Sequence, residues 1–147
     1  MVAETYSIFA QRYNMMIGVL IVAFSTSILF LILPFGFFFI ADIFLVVGGG
    51  IGLYFTLKNR KESQSPIKTG IIVGLTGSVL SLLLISFFDW ILYSLEYSFD
   101  FMLFLEYTLI LFAYYGIMYV LVGIILGYLF GNYNKKREYV GQESPLF

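Results

Sequence analysis

Asp42 is the residue whose position most invites chemistry, because it is the charged side chain expected deepest inside a long apolar run. It falls about five residues into the second such run, roughly 7–8 Å below the boundary at 1.5 Å per helical residue. An unpaired carboxylate there is costly, and no Lys or Arg lies at that depth, so the group is expected to be protonated or hydrogen-bonded. If the first two runs form a hairpin, Ser25, Thr26 and Ser27 lie about one turn deeper, and their hydroxyls are the nearest donors. The chemical reading is a proton- or cation-binding site built on Asp42, Ser25 and Ser27. The plainer reading is a shallow carboxylate reaching interfacial water.

Most catalytic chemistry is excluded by composition. The 147 residues contain no Cys and no His, which removes thiolate and imidazole metal sites, histidine-ligated haem and every nucleophile that relies on a histidine base. Asp42 and Asp89 invite comparison with intramembrane aspartyl proteases, but Phe39-Ile40-Ala41 and Ser86-Phe87-Phe88 stand where a Gly-x-Gly motif would precede the aspartate. Gly74-Leu75-Thr76-Gly77 is the nearest string to a rhomboid Gly-x-Ser-Gly, in a chain without histidine. No catalytic residue, metal or cofactor is expected, and the chain reads as a non-enzyme.

The elements that must position Asp42 follow from hydropathy. With 61% hydrophobic and 12% charged residues and a mean hydropathy of +0.95, the chain has too little charge to cover a water-facing surface. Four apolar runs, at about 15–33, 37–57, 67–92 and 105–130, are long enough to cross a hydrocarbon core of about 30 Å. Pro34-Phe35-Gly36 predicts a tight turn between the first two. The polar stretch from Lys58 to Pro66 joins the second to the third. The segment from Tyr93 to Phe104 suits either a stretch lying in the headgroup layer or the ends of two helices. The expected fold is an all-α, polytopic bundle of four transmembrane helices, with residues 1–14 preceding it and a tail over 132–147 whose short polar end beyond Arg137 is expected to be disordered.

Basic residues set the orientation. Arg12, the cluster Lys58, Arg60, Lys61 and Lys68, and the cluster Lys135, Lys136 and Arg137 make up all eight, and all fall on one side of the four-span arrangement. The positive-inside rule makes that side the cytoplasm, with both termini there, in a multi-pass protein of the cell membrane. Asp89, Glu96, Asp100 and Glu106 occupy the other side. As topology determinants the basic clusters need no further role, and no nucleic-acid partner is expected.

Glycine supplies the remaining pattern. Gly48, Gly49 and Gly50 fall at the middle of the second run, where three in succession invite a kink, and Gly52 completes a Gly-x-x-x-Gly pair with Gly48. The third run carries Gly70, Gly74, Gly77 and Ser81, a smooth stripe against which the second helix can nest. Gly116, Gly123, Gly127 and Gly131 lie near one face of the fourth run, which is then free to meet the same bundle or a second subunit. The arrangement Gly48-Gly49-Gly50-x-Gly52, basic loop, Gly70-x-x-x-Gly74-x-x-Gly77 resembles the central hairpin of uncharacterised small four-helix membrane proteins of archaea. That resemblance covers about 30 residues and implies no activity.

Two functions follow as expectations. The first is a small structural or accessory subunit of a membrane complex, or a self-associating bundle, whose partners are the bilayer and other membrane subunits or copies of itself. The second is a small ion channel or proton-coupled transporter using Asp42, with the glycine run as the break in its helix.

Overall fold

A computed structural model describes residues 2–32, 41–97 and 99–142, with side chains over 13–32, 43–97 and 99–138. The chain is all-helical there: α1 is Val2–Ile32, α2 Ala41–Lys58, α3 Pro66–Glu96 and α4 Phe101–Gln142. Three stretches, Tyr13–Ile32, Pro66–Glu96 and Phe101–Glu138, are long and apolar enough to cross a membrane, and Ile43–Lys58 is a shorter apolar helix. The Pro34-Phe35-Gly36 turn lies outside the described residues.

Several boundaries differ from the sequence expectation. α1 continues back to Val2, with Tyr13 in a non-helical conformation (φ −114°, ψ 16°) that separates the apolar span from its polar extension. α4 runs on through Asn132 to Gln142, so helix continues through the first part of the tail and past Arg137. Lys and Arg have good helical propensity, and no proline interrupts them before Pro145. At the other end, α3 reaches Glu96 and α4 starts at Phe101, so the Tyr93–Phe104 segment is the ends of two helices. Pro66 at the first turn of α3 sits where a missing N–H costs nothing.

The helices run up, down, up, down. Gly48 lies against Thr26, Gly52 against Val22 and Gly18 against Thr56, an antiparallel register in which four steps along α2 match four steps back along α1. Gly70 faces Gly127 and Gly74 faces Gly123, the same relation for α3 and α4. Ser27 reaches Ser81 and Val22 touches Gly77, so α1 and α3 are parallel. Among the described residues α1 meets α2 and α3, α4 meets α2 and α3, and α1 and α4 do not meet. This topology puts all the Lys and Arg positions at one end and Asp89, Glu96, Asp100 and Glu106 at the other.

Much of the buried face of α3 is small or hydroxylated, alongside Val73, Leu82 and Ile85. α3 buries Thr69, Gly70, Gly74, Gly77, Ser78, Ser81 and Ser86 while Ile72, Leu83, Phe87 and Leu92 face outward. Hydrophobic burial in water would sort these residues the other way. Lipid reverses the demand, since close backbone packing then becomes the main attraction between helices. Inward hydroxyls bond mostly to their own helix: Ser81 to the Gly77 carbonyl at 2.7 Å and Ser86 to the Leu82 carbonyl at 3.0 Å.

Candidate functional site

The glycines form two seams, paired differently from the sequence expectation. α2 does not nest on α3; its Gly48 and Gly52 pack on α1, where a methyl group on Gly48 would fall 2.7 Å from the Thr26 nitrogen and 2.8 Å from Ser25 Oγ. Gly18, which sequence reasoning passed over, completes this seam opposite Thr56. The stripe of α3 meets α4 instead: a methyl on Gly70 or Gly74 would strike the carbonyl oxygen of Gly127 or Gly123, and the reverse is true. Backbones this close can exchange weak Cα–H···O contacts. Gly123 and Gly127 are therefore occupied inside the bundle. Val22, fully buried, wedges between Gly52 of α2 and Gly77 of α3, with its side chain 2.7 Å from the methyl position of Gly77.

Two glycine expectations fail. Gly48 to Gly50 do not break α2, which runs unbroken through them, and no described glycine has a positive φ. Gly49 and Gly50 leave room for large side chains of α4, Leu126 and Phe130, which would lie 3.4 and 3.5 Å from an added methyl. Gly116 touches no other helix closely; a methyl there would first meet Phe112 of its own helix at 3.5 Å. Its offset of seven residues from Gly123 keeps it near the glycine face, but one level beyond the close approach to α3.

Asp42 lies in the first turn of α2, and its side chain is outside the described residues. The α1–α2 register puts its backbone level with Ile32, about two turns and 10 Å from the level of Ser25. The hydroxyl pair is also engaged elsewhere. Ser25 donates to the Ile21 carbonyl, and Ser27 donates to the Ala23 carbonyl at 2.7 Å and the Ser81 carbonyl at 3.3 Å. The expected shared site of Asp42, Ser25 and Ser27 is not assembled in the backbone register.

Two polar constellations were not anticipated. At the basic end, Asn14, 2% exposed, donates to the Thr56 carbonyl and to Gln64 Oε1, both at 3.3 Å. It thus caps one of the last carbonyls of α2 and ties α1 to the α2–α3 connection. Arg60 of that connection, with only 7% of its side chain exposed, pairs with Glu138 on the extension of α4.

At the acidic end, the first turns of α4 and the last turns of α3 line an open cleft of about 480 Å³, bounded by Asp89, Trp90, Tyr93, Glu96, Leu103 and Tyr107, among others. Tyr107 donates to Asp89 Oδ2 at 3.0 Å, while Asp89 Oδ1 is buried and has no hydrogen-bond partner among the described residues. Trp90 fixes the turn beneath it by donating from Nε1 to the Asp100 carbonyl at 2.7 Å and packing on Phe99 at 4.9 Å. Asp100 Oδ1 in turn accepts from the Met102 amide at 2.9 Å, capping α4. The spacing of Asp89, Tyr93 and Glu96, at i, i+4 and i+7, is the sequence signal that could have located this site.

Fold and site together define a tightly packed all-helical bundle with three helices able to cross a membrane, built on glycine seams and with an acidic aromatic cleft at one end. Compared with known proteins, the chain matches no family model, no curated protein and no solved structure.

Proposed function

We propose that the protein is a non-enzymatic integral membrane protein, a four-span bundle of the cell membrane with both termini cytoplasmic, and that it serves as a small self-associating or accessory subunit of a membrane assembly. The observation that carries this reading is Tyr114. It lies near the middle of the α4 span, is 78% exposed, and makes no hydrogen bond among the described residues. A phenol turned into hydrocarbon lacks a partner that only another polypeptide can supply at that depth.

Tyr114 belongs to a continuous outward stripe. Ile110, Tyr114, Ile117, Leu121, Ile125 and Tyr128 are all exposed and recur every three or four residues, so they run straight along α4. The glycine face of α4 is already used on α3, which leaves this stripe as the surface for assembly. A second copy of the chain is the partner it suits, because a phenol is both donor and acceptor and symmetric copies can satisfy each other. The absence of histidine and cysteine supports the non-enzymatic part of the reading.

The cysteine-free chain allows a direct test. Single cysteines at Ile117 or Leu121 should give symmetric disulfide-linked dimers on oxidation in native membranes, whereas one at Ile51, exposed on α2, should not. Recovery of a different chain in place of the dimer would assign the stripe to an accessory contact. Equal cross-linking at all three positions, with a single 16.8 kDa chain in mild detergent, would overturn the proposal.

A further inference from the structure

Basic residues at one end of a membrane bundle fix its orientation whichever way they point, so their convergence on one cleft is a separate observation. Lys58 in the last turn of α2, Arg60 in the connection and Arg137 on α4 line an open cleft of about 460 Å³ together with Tyr54, Phe130 and Tyr133. α2 and α4 run in the same direction, with Gly50 against Phe130. About two turns on from each, Lys58 and Arg137 therefore come level. Arg60 is the fixed part of the cleft: its buried side chain donates to the Lys61 and Gln64 carbonyls and pairs with Glu138, which neutralises that carboxylate and pins the connection to α4. Lys58 and Arg137 are exposed and carry no ion pair among the described residues, and the Lys58 ammonium lies 5.9 Å from the centre of the Tyr54 ring. Glu62, also exposed, is the remaining carboxylate of the lining. Two accessible cations against one carboxylate leave the cleft attractive to an anion.

The two walls narrow the choice of anion, because they repeat one order of side chains. On α2, Val47, Ile51, Tyr54 and Lys58 are all exposed and follow each other at steps of four, three and four. On α4, Leu126, Phe130, Tyr133 and Arg137 follow at the same steps. That spacing keeps each set on one side of its helix. Both stripes pass from apolar side chains near mid-span, through a tyrosine, to a cation at the helix end, and the two cations reach the same cleft. A soluble anion would use only the last member of each stripe. A phospholipid uses all of them, since its chains, glycerol region and phosphate lie in that order toward the membrane surface. We propose that the α2–α4 cleft at the basic end binds an anionic phospholipid, with its phosphate between Lys58 and Arg137 and its chains along the apolar parts of the two stripes. The leaflet, the cytoplasmic one, rests on the orientation proposed above; the lipid site does not require self-association.

Native mass spectrometry of the full chain, delipidated in mild detergent, reads bound lipid and dimer as separate masses, so this proposal and self-association fail independently. With matched acyl chains, phosphatidylglycerol should bind at least about fivefold tighter than phosphatidylcholine, since one cation near a headgroup is worth roughly that factor. Replacing both cations, Lys58→Gln with Arg137→Gln, should reduce phosphatidylglycerol binding to the level of phosphatidylcholine. The charge-matched pair Lys68→Gln with Lys136→Gln, at exposed positions of the same end outside the cleft, should keep the preference. Arg137→Gln alone, at a side chain with no ion pair to lose, should already weaken it severalfold. Glycerol phosphate, which carries the anion without the chains, should not displace the lipid even in large excess; displacement would assign the cleft to soluble phosphates and overturn the lipid reading. Equal binding of the two lipids, equal losses in the two double variants, or full preference in Arg137→Gln would each overturn the proposal.

Discussion

A methyl group is the smallest change that distinguishes the glycines of this bundle from one another. At Gly74 and Gly123 it would collide with the carbonyl oxygen of the facing helix, a backbone atom that can yield only if α3 and α4 move apart. At Gly116 it would sit in ordinary contact with Phe112 of the same helix. Gly74→Ala and Gly123→Ala should therefore each destabilise the protein by about 1–3 kcal/mol, the usual cost of overpacking. Gly116→Ala should be neutral or slightly stabilising, because alanine is the better helix former. Thermal unfolding in detergent, followed by circular dichroism, checks the contrast. Equal losses at all three positions would mean that helix propensity, not the seam, governs them. The sequence presents these glycines alike, in spacings of three, four and seven. What separates them is the register between helices, which depends on contacts across the fold and is not written in the spacing of one helix.

Helix pairing shows the same limit one scale up. Each of the four apolar runs overlaps an apolar helix, three of them long enough to cross a membrane, because an apolar stretch of about 20 residues carries its own signal. Partner choice was less legible: small faces on α2 and α3 suggested that those two nest, whereas α2 packs mainly on α1 and α3 mainly on α4. Asn14 was passed over because a lone asparagine at the edge of an apolar run reads as the start of the span. In the fold it follows the non-helical Tyr13 and delivers its amide to the Thr56 carbonyl and Gln64, clasping α1 to the end of α2. Replacing it by leucine keeps the volume but removes both donated bonds and leaves the Thr56 carbonyl short of a partner. Asn14→Leu should cost about 1–3 kcal/mol and accelerate amide exchange over 59–65, measurable by mass spectrometry in nanodiscs. Unchanged exchange there would show that Arg60, which donates to the Lys61 carbonyl at 3.1 Å, holds the connection alone.

For the whole molecule, the question is what lies outside the bundle. α4 has 42 residues, about 63 Å of helix, far more than a bilayer core requires, and it packs on α2 and α3 along one side only. Among its tyrosines, Tyr107 bonds to Asp89 and Tyr119 is buried, but Tyr114 is 78% exposed. Removing its hydroxyl separates folding from assembly. Tyr114→Phe keeps the ring and deletes a group that makes no hydrogen bond among the described residues, so the unfolding midpoint of the isolated protein in detergent should not change. If the hydroxyl bonds across an interface, the dimer should weaken by about 0.6–1.7 kcal/mol, roughly three- to eighteenfold in the dissociation constant. Fluorescence transfer between labelled copies at varied protein-to-lipid ratio measures that constant. A variant that dimerises as tightly as the parent would place Tyr114 against lipid, and the burden of assembly would pass to the aliphatic residues of the same stripe, Ile117, Leu121 and Ile125.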